Sequence, residues 1–231
     1  MFFGPMLCLI IALLPGASSG QTCNCPTNEM SGPSHHADTT FVLESGQKIA
    51  LCGGDMNFEK RHGKQVFSEF VLVTCPGDSI LDEWGAVDNC WIEVRKDTLI
   101  VETLEYLPIG KHFHYKQFPY KIEKIHYEHG IPVLKTTVNH KIRKYSTAEI
   151  QIVLHQYERD SKDFTNNHPA FHFMEHEENL ADRLFVAAIS GSATARKYLV
   201  EFNDKFKPDG GIAERYDDLI AMLALFDSAV H

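Results

Sequence analysis

The residue types best suited to chemistry gather at His168-Pro169-Ala170-Phe171-His172-Phe173-Met174-Glu175-His176. Proline is favoured at the first position of a helix. A helix starting at Pro169 would set His172 and His176 one turn apart on one face. That spacing lets two neutral imidazoles share one zinc or copper ion. His168 lies about 12 Å along the axis from His176, at roughly 1.5 Å per residue, too far to join the same ion. The order is not that of His-Glu-x-x-His, because Glu177 follows His176 and Leu180 stands where a second histidine would be needed. A metal-binding protein or metal-dependent hydrolase using His172 and His176 is therefore one functional expectation, with its third ligand unspecified. The competing reading is a polar helix start whose acidic residues suit the helix dipole.

A second concentration is cationic. Residues 107–145 hold Lys111, Lys116, Lys121, Lys124, Lys135, Lys141, Arg143 and Lys144 against only Glu123 and Glu128, a surplus of six in a chain of net charge −9. Five histidines and the aromatic residues Tyr115, Phe118, Tyr120 and Tyr127 are interleaved with them. Cations and aromatics on strands can form a contact surface for an anionic glycan or an acidic protein of the cell envelope. Lys116, Tyr120, Lys121, Lys124, Lys141 and Lys144 are the expected binding residues. Outward lysines also blunt sheet edges and keep strands solvated, which is the plainer explanation. The acidic balance of the whole chain argues against a nucleic-acid partner, whose grip rests on clustered Lys and Arg.

Enzyme signatures are missing from the sequence. It contains no G-x-S-x-G elbow, P-loop, dinucleotide glycine pattern or His-Glu-x-x-His. The sequence therefore leans towards a non-catalytic binding module, with zinc or copper as the only cofactors its residues suggest.

Where such a protein works is clearer. Residues 1–20 carry no charge, and an apolar run from Leu7 to Leu14 is followed by Pro15-Gly16 and the small residues Ala17 to Gly20. This is the pattern of a secretory signal peptide, shorter than the roughly 20 apolar residues of a membrane span. Export to a secreted or periplasmic location follows as the expectation. None of the asparagines begins an Asn-x-Ser/Thr sequon, which tilts the reading towards a bacterial envelope. Without Cys8, five cysteines remain: Cys23, Cys25, Cys52, Cys75 and Cys90. An oxidising compartment favours disulfides. Cys75 and Cys90, close in sequence, are expected to pair, Cys23 or Cys25 to pair with Cys52, and one thiol to remain. A soft-metal site of Cys23 and Cys25 with His35-His36 is the alternative use of those residues.

The elements that must carry these residues fall into two kinds. From Thr39 the apolar pattern has period two, with turns at Ser45-Gly46, Lys96-Asp97 and Leu107-Pro108-Ile109-Gly110. Strands are expected up to 148–157, including 111–117, 120–127 and 131–138. Beyond a polar stretch the period becomes helical: Leu180, Leu184, Ala187 and Ala188, then Ala195, Leu199, Phe202 and Phe206, then Ile212, Tyr216, Leu219, Leu223 and Phe226. Ser192 is a natural N-cap for the middle helix. The expected fold class is α+β, an antiparallel sandwich or barrel-like domain over 38–157. It is preceded by a disordered or extended tail at 21–37 and followed by a linker at 158–169 and about three helices over 170–231.

Overall fold

The computed structural model describes residues 22–53, 60–61, 64–76, 79–86, 88–165 and 174–228. Its first part is antiparallel sheet. Strands β3 (Thr39–Val42), β4 (Lys48–Cys52), β7 (Phe70–Cys75) and β8 (Ile80–Trp84) form a four-stranded sheet in the order β3-β4-β7-β8. Strands β5 (Lys60–Arg61), β6 (Lys64–Phe67), β9 (Asn89–Arg95), β10 (Thr98–Leu107), β11 (Lys116–Glu128) and β12 (Ile131–Val138) form a six-stranded sheet in the order β12-β11-β10-β9-β6-β5. The two sheets pack face to face around Ile49, Leu51, Phe70, Leu72 and Trp84 from the smaller one and Leu99, Val101 and Ile125 from the larger. Trp84 stacks on Phe70 with ring centroids 4.7 Å apart. An α+β fold with a β-sandwich followed by helices is thus what the chain adopts.

Alternation along β4 and β7 explains why these strands are apolar on both faces. Ile49, Leu51, Phe70 and Leu72 point into the sandwich, while Ala50, Cys52, Val71 and Val73 point to the opposite side. That outer side is covered by the N-terminal segment, in which β1 (Asn24–Cys25) pairs with β2 (His35–His36). Two disulfides hold it there, Cys23–Cys75 and Cys25–Cys52. The stretch expected as a disordered or extended tail is therefore pinned sheet cover. The Cys25–Cys52 bond agrees with one of the pairings the sequence allowed.

The expected Cys75–Cys90 bridge is corrected. Cys75 lies on the outer face of the four-stranded sheet beside Cys23, whereas Cys90 is the second residue of β9 in the other sheet and is fully buried in the sandwich core. A sheet layer separates the two sulfurs. Among the described residues Cys90 is the free thiol, with its Sγ 3.7 Å from the Thr103 hydroxyl.

The helical part contains α1 (Thr147–Thr165), α2 (Met174–Ile189), α3 (Ala193–Phe206) and α4 (Gly210–Ser228). Residues 148–157, expected as a strand, form most of α1. The local alternation of Ile150, Ile152 and Leu154 misleads, because Ile152 is exposed while Val153, Leu154 and Tyr157 are buried at helical spacing. The start is fixed by a capping box: Ser146 Oγ accepts from the Glu149 amide at 3.3 Å, and a Glu149 carboxylate oxygen accepts from the Ser146 amide at 2.8 Å. Part of the expected linker, 158–165, belongs to this helix. Residues 111–113 form a 3₁₀ turn rather than a strand. In α3, Ser192 caps as expected, accepting from the Ala195 amide at 3.1 Å, and the Ala195, Leu199, Phe202 and Phe206 stripe is buried. All four helices pack into a second core, which also takes in Leu107, Tyr120 and Val138 from the large sheet. No helix among the described residues is long and apolar enough to cross a membrane.

Candidate ligand-binding cleft

Strand β10 shows how a cleft arises. Its alternate residues Leu99, Val101, Thr103, Glu105 and Leu107 share one face. Leu99 and Val101 belong to the sandwich core and Leu107 to the helical core. Between the two packed regions Thr103 and Glu105 meet no third apolar layer, and an open cleft of about 670 Å³ lies there. A bulge in β11, where Thr103 pairs with Lys121 but Leu104 pairs with Pro119, sits at the same level. Bulges re-aim side chains, and here Tyr120 turns into the helical core while Lys121 lines the cleft.

Arg215 of α4 organises the interior. Its Nε donates to Asp182 Oδ1 of α2 at 3.0 Å, and one terminal nitrogen donates to Glu105 Oε2 of β10 at 3.1 Å. Asp182 is nearly fully buried, and its other oxygen accepts from the Tyr115 hydroxyl at 2.9 Å. A buried charge is tolerated only when paired in this way. Burial alone would disfavour the charged guanidinium, but Asp182 and Glu105 outweigh it and hold Arg215 firmly protonated. Burial raises the Glu105 carboxyl; Arg215 pulls it back, and Asp218 and Asp88 push it up again. Tyr115 also stacks on Tyr106, with centroids 5.1 Å apart, and Tyr106 is 62% exposed. The wall is completed by Asp88, Asn89, Gln117 and Asp218.

A buried carboxyl lies behind the cleft. Glu123 is 3% exposed in the sandwich interior and accepts from Trp84 Nε1 at 3.2 Å and from the Lys121 ammonium at 3.2 Å. Burial raises its carboxyl, Lys121 opposes the shift, and the negative charge of Asp82 adds to it.

Of the expected binding residues, Tyr120 and Lys121 line the cleft. Tyr120 is nonetheless an anchor, its buried hydroxyl donating to the Met222 carbonyl at 2.7 Å. Lys116, Lys124, Lys141 and Lys144 are exposed and do not line it. Lys116 and Lys124 stand roughly 26 Å apart along one strand at about 3.3 Å per residue, so they do not converge on one small ligand. His172 lies outside the described residues. His176 falls within the first turn of α2, and its side chain lies outside what is described. Among the described residues a metal-type cluster occurs elsewhere: ligand atoms of Cys25, His35 and Asp38 lie within 4.8 Å of one another. The Cys25 sulfur is bonded to Cys52, however, so it offers no thiolate.

Arg215, Asp182 and Glu105 were not singled out from sequence. Asp182 did carry a signal, being an acid set between Leu180, Ala181 and Leu184 on a buried stripe. Its partner on α4 could not be read from spacing. Compared with known protein families, curated proteins and solved structures, the chain matches none.

Proposed function

We propose that the protein is a non-catalytic binding protein of the secreted or periplasmic space, and that its ligand is a small polar molecule seated in the cleft between the sandwich and the helices. The disulfides support an oxidising, extracytoplasmic setting. One observation carries the ligand reading: a preformed, open cavity of about 670 Å³ lined by hydroxyl, amide, carboxylate and aromatic side chains. Its size is that of a small-molecule site, and Tyr115, Asp182, Arg215 and Glu105 are held in place by part-buried hydrogen bonds to one another. The cleft draws on β10, β11, α2 and α4, so a bound molecule would bridge both cores.

Native mass spectrometry after incubation with a desalted small-molecule extract tests this. Ala221 lines the cleft from the exposed side of α4, and Ala221→Trp would fill it without entering a core. A species carried by the wild-type protein and lost in Ala221→Trp is the expected result. Identical retention by both proteins would exclude the cleft as the site.

A further inference from the structure

Resting on that reading, we infer that the ligand of the cleft is an organic cation, presenting a protonated amine to Asp88, Asp218 and Glu105. Four carboxylates (Asp88, Glu105, Asp182 and Asp218) face two cations, Arg215 and Lys121, along its walls. Both cations are already engaged. Arg215 is shared between Asp182 and Glu105. Lys121 is neutralised from behind by Glu123, a carboxylate outside the lining. Asp88 and Asp218 form no ion pair among the described residues, so the surplus charge presented to a ligand is negative.

Asp218 and Asp88 each act on Glu105 with a negative field, raising its carboxyl against the larger lowering by Arg215. Low-dielectric walls concentrate such a field. The aromatic side of the cleft suits the same ligand. Tyr115 is fixed by its hydroxyl on Asp182 and stacks on the exposed Tyr106, giving a π surface of the kind that attracts ammonium groups. An organic ammonium fits better than a metal ion. The only described group of His, Cys, Asp or Glu whose ligand atoms gather within 4.8 Å is the one at Cys25, and it does not involve the cleft. An anionic ligand would meet repulsion from Asp88 and Asp218 with no unengaged cation to receive it.

Calorimetric titration can compare glucosamine, glucose and glucuronate, one ring carrying positive, no or negative charge, together with spermidine. It would be run at neutral pH and at low salt on the wild-type protein and on Asp88→Asn, Asp218→Asn and Ala221→Trp. The expectation is binding of spermidine or glucosamine that weakens about tenfold on loss of either carboxylate, the effect of roughly 1.4 kcal/mol, and disappears in Ala221→Trp. Tighter binding of glucose or glucuronate, abolished by Ala221→Trp, would overturn the cation and leave the cleft as a binding site. Amine binding indifferent to Ala221→Trp would overturn it as well. The extract experiment reports on the cleft whatever the charge of its occupant, so the two failures are separable.

Discussion

Glu123 shows how much one side chain can decide. A carboxylate in a sandwich core is costly to keep ionised; Lys121 and Trp84 answer part of that cost, while the neighbouring Asp82 adds to it. Because burial raises its carboxyl above the unfolded value of 4.5, the folded chain holds a proton that the unfolded chain releases as pH rises. The associated stability is complete below the unfolded value and is lost as pH climbs through the folded one. Glu105 contributes with the same sign. Glu123→Gln keeps an acceptor for Trp84 and removes the titration, so urea midpoints should decline less steeply between acid and neutral pH than in the wild type. Parallel declines in the two proteins would show that Glu123 does not titrate in this range. Cys90 makes a simpler prediction. Burial pushes its thiol up to about 12, the Thr103 hydroxyl offsetting little of the rise. It should therefore resist alkylation at neutral pH until the chain unfolds. In a chain lacking residues 1–20, one thiol should then react; rapid labelling of the native protein would contradict the buried placement.

At the scale of elements, the short-range chemistry was readable where it follows a strong local rule. The strands of the sandwich and the helices α2 to α4 follow period two and period 3.6, and Ser192 caps as its type suggests. Helix α1 was misread because three alternating apolar residues outweighed a capping box spelled out as Ser146-Thr147-Ala148-Glu149. If that box fixes the start of α1, Ser146→Ala should cost about 1 kcal/mol, the usual value of a lost cap. An unchanged denaturation midpoint would mean that packing of Tyr157 and Val153 alone sets the helix. The N-terminal hairpin was misjudged for another reason. Its β1 and β2 are two residues each, too short to signal by pattern, and it is ordered by covalent bonds to Cys52 and Cys75. Which cysteines pair depends on which face each strand presents, and that is a property of the assembled sheets. In the chain-entropy estimate the Cys25–Cys52 bond contributes about 3.5 kcal/mol. Replacing both residues with alanine should lower the midpoint accordingly.

For the whole molecule, one sheet serves two cores, and the cleft is the interval between them. Neither half of that arrangement shows in the sequence, since Glu105, Asp182 and Arg215 lie on β10, α2 and α4 and meet only after all three are placed. Arg215 is therefore the natural point at which to ask whether sandwich and helices unfold together. Removing one partner of a buried pair typically costs about 3–5 kcal/mol; here Asp182 would lose the guanidinium while keeping the Tyr115 hydroxyl. The protein carries separate reporters for the two halves. Trp84 and Trp91 lie on β8 and β9 of the sandwich, while the helices dominate far-ultraviolet dichroism. In the wild type the fluorescence and dichroism transitions should coincide, because the continuous strands β10 and β11 contribute to both cores. In Arg215→Ala the dichroism transition should move to lower denaturant than the fluorescence transition, because the charge is lost at the helical side of the seam. A joint shift of both would mean that the strands alone keep the two cores cooperative and that Arg215 shapes the cleft without holding the halves together.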